Sequence, residues 1–298
     1  MRRSKQGCVE SFDGTRICYE SYGEGLPLAL VDGIGCNGYV WKYMLQHFSN
    51  DCRMVHMHYR GHGRSDMPKN TNNLSIEDLS DDLVRVLDDD NVDKAVLLGH
   101  SMGCQVVLET ARRHGDRCAG LVPICGSYGH PLKTFHDNRM LDTVFPALYP
   151  LFVLAPWAPA ALWRRLVPTR LAYEIATHFE INGRMINYED FMPYLQFIGR
   201  IDLRMFVKML DFTSRHTTED FLPEISVPVL IVAGENDTFT PMRLSEKMAA
   251  TIPGAEMIVV PRGSHTAPIE MPQLVNLRIE QWLLEHFNLR RVGKVVNE

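Results

Sequence analysis

The sequence predicts an α/β chain: a mostly parallel sheet covered by helices on both faces and interrupted once by a helical insertion. Three observations predict it. Apolar runs such as "LALVD", "KAVLLGH" and "VPVLIVAGE" alternate with amphipathic helical stretches at both ends of the chain. Those runs are apolar at nearly every position, as in strands buried on both faces. Between residues 127 and 220 the alternation stops, and the chain turns rich in Pro, Trp, Phe, Tyr, Met and Arg with no clear strand. The expected division is therefore a core of residues 1–126 and 221–298 with a helical cap over 127–220.

The elements follow in order. "CVESF" and "TRICYESY" flank Asp13-Gly14, a two-residue hairpin signal. "LALVD" is a strand that stops at the glycine-rich loop "GIGCNG", and "YVWKYMLQHF" has helical spacing. "RMVHMHY" is a strand ending at "RGHGRSD". "SIEDLSDDLVRVLDDD" is an amphipathic helix capped by Ser75. "KAVLLGH" is a strand, "MGCQVVLETARRHG" a helix closed by Gly115, and "CAGLVPIC" a strand. After the insertion come "VPVLIVAGENDTF", the helix "PMRLSEKMAATIPG", the strand in "AEMIVVPRGSH" and a final helix, "PQLVNLRIEQWLLEHF". "RRVGKVVNE" reads as a tail.

Bulk properties bound the function. A chain of 298 residues can bury a sizeable core, and 45% hydrophobic with 22% charged residues is ordinary for a globular protein. The formal charge of −5 argues against a nucleic-acid partner. The cysteines at 8, 18, 36, 52, 104, 118 and 125 are odd in number and form no CxxC pair, which predicts free thiols in a reducing compartment. "MRRSKQGCVESFDG" is basic with no apolar run behind it, so no signal peptide is expected and the expected location is cytoplasmic. Residues 144–163 carry no charge and have the length of a membrane span, but four prolines break them. They read as a kinked, greasy part of the cap suited to peripheral lipid contact.

The chemistry sits at strand ends, where ligands bind in parallel sheets. Gly99-His100-Ser101-Met102-Gly103 fits G-x-S-x-G. In a tight strand-to-helix turn, glycines leave room around a strained serine whose hydroxyl is pushed into the open. The same turn aims the Met102 N–H and the helix N-terminus at that space. Composition alone yields the pattern by chance roughly one time in ten in such a chain, so the strand before it and the helix after it carry the weight. A serine needs a base, and the base an orienting carboxylate. His265 follows the last strand and Asp237 the strand before it, with Glu235 as a nearby alternative acid. The order Ser, Asp, His is that of a hydrolase elbow.

With "GHSMG", "YRGHGRSD", "GENDTFTP" and "GSHTAPIEMP" the chain resembles the α/β-hydrolase fold family, of the cap-bearing serine hydrolase type: small esterases, monoacylglycerol-lipase-like enzymes and cofactor-free perhydrolases. The resemblance spans about residues 9–287. It implies a mostly parallel eight-stranded sheet, catalysis by Ser101, Asp237 and His265, oxyanion donation by the Ile34 and Met102 N–H groups, no cofactor and no metal. It implies a small-molecule carboxylic ester as substrate, with an apolar acyl or aromatic part suited to the cap. Thioester, perhydrolytic or C–C bond cleavage on the same residues is the alternative, as is a ligand-binding member without turnover. Ser101 in the elbow argues against the Asp nucleophile of dehalogenases and epoxide hydrolases.

Two departures stand out. The family has His-Gly after the third strand where this chain has Asp32-Gly33. It has Asp before the Arg-Gly of the next loop where this chain has His58. The acid and base have changed places, which predicts a structural pair in which Asp32 faces His58. His100, at the variable elbow position, is expected to line the pocket, as are members of the Phe145, Tyr149, Trp157 and Trp163 group. Cys36 and Cys104 are expected in the core, and His62 in a structural loop role.

Overall fold

The computed structural model describes residues 3–179, 181–287 and 289. Its elements are β1 (Arg3–Glu10), β2 (Arg16–Tyr22), β3 (Leu26–Val31), α1 (Lys42–Phe48), β4 (Cys52–Met57), α2 (Ile76–Asp89), β5 (Ala95–His100), α3 (Met102–Arg113) and β6 (Cys118–Ile124). The insertion follows as α4 (Met140–Leu154), α5 (Trp157–Leu166), α6 (Arg170–Phe179), α7 (Tyr188–Ile198) and α8 (Leu203–Arg215). The chain closes with β7 (Leu230–Gly234), α9 (Met242–Thr251), β8 (Glu256–Val260), α10 (Ala267–Glu270) and α11 (Pro272–Phe287). The tail expected at 290–298 lies outside the described residues.

The eight strands form one sheet in the order β1-β2-β4-β3-β5-β6-β7-β8. Pairing is antiparallel for β1–β2 and β2–β4 and parallel elsewhere. The all-apolar runs become its centre. In β3, Ala29 and Val31 face one core with α2 and α3, while Leu28 and Leu30 face the other with α1 and α11. In β5, Leu97 takes the first side and Val96 and Leu98 the second. Burial on both faces is what removes the polar alternation from these strands.

The local signals hold where the backbone alone decides. The Ser75 hydroxyl accepts the Asp78 N–H at 3.1 Å, and Asp78 accepts the Ser75 N–H at 3.0 Å, closing a capping box at the start of α2. The first hairpin differs from expectation by one residue. Glu10 pairs with Arg16 and the Ser11 N–H bonds the Thr15 carbonyl, so the loop is Phe12–Gly14, three residues long. This register sets Cys8 opposite Cys18, and the two form a disulfide. The expectation of seven free thiols is corrected for that pair; Cys36, Cys52, Cys104, Cys118 and Cys125 are free and buried. Arg60, fully buried, ties the hairpin to α2 through Asp13 at 2.7 Å and Asp82 at 2.5 Å.

The described residues of 127–220 form helices joined by short loops, with an isolated bridge, Gly129 to Thr217, at their base. Pro146 and Pro150 lie inside α4. Among the described residues no single helix is long and apolar enough to cross a membrane; α4 and α5 pass that test only as a pair bent by 100°. Residues Ile198, Met205 and Met209 of α7 and α8 join the core cluster that holds Val31 and Leu97, which seats this half of the insertion at the sheet.

Candidate active site

Ser101 sits at the bend between β5 and α3 with φ 57° and ψ −119°, a conformation that costs an L-residue energy and persists only where its surroundings impose it. The surroundings do. A Cβ on Gly99 would overlap the Gly103 carbonyl, and one on Gly103 would overlap the Val31 carbonyl, so α3 can start this close to the sheet only with glycine at both places. The Cβ position of Gly33 lies 3.0 Å from the Ser101 Cβ, which brings the loop after β3 against the serine.

The three residues expected to act together are brought together from loops after β5, β7 and β8. The Ser101 hydroxyl lies 2.8 Å from His265 Nε2. His265 Nδ1 lies 3.0 and 3.2 Å from the two Asp237 oxygens. The carboxylate accepts a hydrogen bond from the Nδ1 N–H, which leaves a lone pair on Nε2 for the serine hydroxyl. Asp237 is itself held by the N–H groups of Phe239 at 2.9 Å and Thr240 at 2.8 Å and by the Thr240 hydroxyl at 2.8 Å. Phe239 stacks on the His265 ring, centroids 4.7 Å apart. Glu235 is turned away: it accepts the Arg262 N–H at 2.7 Å.

Ile34 and Met102 both line the space at Ser101, and among the described residues neither N–H has a hydrogen-bond acceptor. His62 stiffens the Ile34 loop. Its Nδ1 proton goes to the Arg60 carbonyl at 3.0 Å, so its Nε2 accepts the Gly35 N–H at 3.1 Å. Cys36 and Cys104 are buried, and burial pushes both thiols up, that of Cys104 to about 12.

His100 lines the site as expected, but from within the core at 1% exposure. Its Nε2 donates to the His265 carbonyl at 2.9 Å, and its Nδ1 has no partner. Burial, and then the neighbouring His265 imidazole, push it down to about 4, so it is neutral at neutral pH.

The expected pairing of Asp32 with His58 is corrected: the partner is His56. Asp32 Oδ2 lies 2.8 Å from His56 Nε2 and accepts the Gly38 N–H at 2.9 Å, while Oδ1 accepts the Trp41 indole N–H at 2.8 Å. Parallel pairing sets Leu30 level with His56, which would set Asp32 level with His58. Both strands have ended by then, and the Asp32 carboxylate is drawn back by the Gly38 and Trp41 donors. His58 Nδ1 instead accepts the Arg64 N–H at 2.9 Å. Burial, the largest single influence, raises the Asp32 pKa, but His56, the Gly38 N–H and His58 together leave the carboxyl below its ordinary value.

Two cavities meet at Ser101, with Ile34, Tyr194 and Phe239 as shared walls. The larger, about 190 Å³, lies on the Met102 side and is lined by Leu132, Phe135, Leu141, Phe206 and Leu210. The smaller, about 170 Å³, lies on the His265 side. The aromatic group expected as lining is elsewhere: Phe145 and Tyr149 border a separate groove with Asp211 and Arg215, Trp157 is exposed, and Trp163 donates to the Ile198 carbonyl at 2.7 Å. Sequence reasoning also missed Gln105, four residues after Ser101. Its amide nitrogen donates to the Thr213 carbonyl at 3.1 Å and lies 3.0 Å from His216 Nδ1, and the residue lines the larger cavity. A second missed residue is Glu270. It accepts the Ser264 N–H at 2.7 Å beside His265 and, across from it, the Asn182 N–H of the insertion at 2.9 Å.

Residues 30–277 match the model of the "Alpha/beta hydrolase family". The chain is 27% identical over 298 residues to a "Putative carbamate hydrolase RutD" of Caulobacter vibrioides, covering 95% of this chain and 99% of that one. It is 26% identical to "Epoxide hydrolase 4" of Homo sapiens, covering 91% of this chain and 76% of that one. Among solved structures it resembles a thermophilic esterase from Thermogutta terrifontis, with TM-score 0.77 and 25% identity over 95% of this chain and 100% of that one.

Proposed function

Since the chain belongs to the alpha/beta hydrolase family, we propose that it is a serine hydrolase that cleaves carboxylic esters through an acyl-enzyme. The observation that carries this reading is the continuous path from the Ser101 hydroxyl through His265 to Asp237, at 2.8 and 3.0 Å, opening on two apolar cavities. His265 Nε2 takes the serine proton as Oγ attacks the carbonyl carbon. The Ile34 and Met102 N–H groups receive the negative charge that develops on the carbonyl oxygen, a contribution of about 10²–10³ in rate per donor in comparable sites. The imidazolium then gives its proton to the leaving alcohol, and water, activated by the same nitrogen, releases the acid.

The proton donor marks the sides. The leaving alcohol belongs in the smaller cavity, which His265 lines, and the acyl group in the larger one beside Met102. Gln105, Ser127, Thr213 and Thr240 give the mostly apolar acyl side a few polar groups. Neutral His100 adds no positive charge against the imidazolium 5.1 Å away, ring to ring. Ser101 occupies the attacking position, so the epoxide-hydrolase likeness is not carried over to the reaction. The carbamate-hydrolase likeness is compatible with the same attack at a carbamate carbonyl.

The test is turnover of a p-nitrophenyl ester series from acetate to palmitate, with a matched thioester and carbamate, by wild type and Ser101→Ala. Ester turnover that falls by several orders of magnitude in the variant is expected, with an optimum at short acyl groups given the cavity volumes. Preference for the thioester or carbamate would move the reading to that acyl chemistry. Equal, slow rates in both proteins would refute Ser101 as nucleophile and leave ligand binding without turnover.

A further inference from the structure

Two helices of the insertion, α4 and α5, carry large apolar residues outward, where a protein surrounded by water would bury them. Along α4, Met140, Val144, Leu148, Leu151 and Leu154 fall within one sector of the helix, and all five are exposed. No residue of α4 or α5 is fully buried. At the 100° bend between the two helices stand Leu154, 79% exposed, and Trp157, 78% exposed; Leu162 and Leu166 continue the exposure along α5. Isolated exposed leucines need no explanation, but a contiguous strip ending in a projecting tryptophan marks a contact surface.

We propose that this strip docks the protein on the surface of an anionic lipid bilayer, with Leu154 and Trp157 as the inserted corner. Charge selects the occupant. Within residues 139–170 four arginines, at 139, 164, 165 and 170, stand against the single acid Asp142, in a chain whose formal charge is −5. Arg164 and Arg165 are exposed in the last turn of α5; Arg139 and Arg170, more than three-quarters exposed just outside the apolar stretch, lie 3.4 Å from Asp142 and 3.3 Å from Glu174, so the α5 pair carries most of the charge available to lipid. Basic residues flanking an apolar helix surface with an interfacial tryptophan suit acyl chains below and phosphates above. A second copy of this chain fits less well. It would bring the same arginines against one another, and a bend of 100° offers a corner where a two-fold contact needs a flat, self-complementary patch.

The surface is placed to matter for the site. Leu141, beside Met140 on α4, lines the larger cavity at Ser101, so the helix that would lie on the bilayer also walls the proposed acyl side. Under the ester-hydrolase reading this favours esters held in the membrane. Docking itself does not use Ser101.

The experiment is flotation of the full-length protein with phosphatidylcholine vesicles, alone or with roughly one third phosphatidylglycerol. Wild type and Ser101→Ala should float equally with the anionic vesicles, and less with phosphatidylcholine alone. Leu154→Ser with Trp157→Ser should lower the bound fraction about tenfold with an unchanged thermal melt, since both side chains are exposed. Arg164→Gln with Arg165→Gln should remove the preference for anionic lipid. Wild type that fails to float, or floats as well with both pairs of substitutions, overturns the proposal. So does a dimer in sedimentation velocity that the Leu154/Trp157 substitutions dissociate while no vesicle binding is seen; the strip is then a self-association surface.

Discussion

Lowering the pH from 8 to 5 should destabilise this protein mainly through two buried histidines. His58 is pushed down to about 4 by burial and then by the nearby His56; His100 is pushed down to about 4 by burial and then by His265. In the unfolded chain both return to about 6.5. Below that value the unfolded state binds two protons that the folded state refuses, so stability present above pH 6.5 is lost progressively toward pH 4. At pH 5 the loss is about 2 kcal/mol per histidine, about 4 kcal/mol together, a large share of a typical domain's stability. His62, also lowered by burial, acts in the same direction. Urea unfolding at the two pH values measures the difference. His58→Asn isolates one half of it. The Asn Oδ1 can accept the Arg64 N–H that His58 Nδ1 now accepts, without titrating. The pH-dependent loss should shrink by about 2 kcal/mol in that variant. An identical loss in wild type and variant would refute the assignment of this linkage to His58.

Two further outcomes follow from the site. Asp237→Asn keeps acceptors for the Phe239 and Thr240 N–H groups but favours the wrong imidazole tautomer at His265. Ester turnover should fall about 10⁴-fold with little change in melting temperature. A double-mutant cycle should give Asp32 a coupling to His56 in the range of about 0.5–3 kcal/mol, and a clearly smaller one to His58. Asp32→Ala alone should cost about 3–5 kcal/mol in urea unfolding, because it strands the Trp41 and Gly38 donors beside a buried imidazole.

What was legible in the sequence was what neighbouring residues impose. Gly99, Ser101 and Gly103 announce their turn because only that order of residue types permits it. Asp237 and His265 are legible as neighbours of Ser101 because each lies in the loop after an apolar strand, and strand ends in a parallel sheet converge on one edge. The errors came from geometry at the scale of one or two residues. A two-residue loop at Asp13-Gly14 would set Cys8 opposite Tyr19. The three-residue loop sets it opposite Cys18, and that single step separates a free thiol from a disulfide. Asp32 was given the histidine two positions too far along because the register was carried past the ends of both strands. The cavity walls were misassigned because α4 to α8 have apolar residues on several faces. Which face meets Ser101 is then decided by packing against the sheet, not by periodicity.

Glu270 has a mechanical consequence. One buried carboxylate grips both the loop that carries His265 and the start of the segment joining α6 to α7, through Ser264 and Asn182. The insertion is therefore anchored to the proton-transfer machinery at this corner, whereas α4 and α5 have no fully buried residue to hold them. The attachment of the insertion is therefore uneven: α7 and α8 are tied to the core by Ile198, Met205 and Met209, and the α6–α7 segment by Glu270. The residue that holds the loop of His265 thus belongs to the tied side of the insertion, and the exposed α4–α5 side is the one least held.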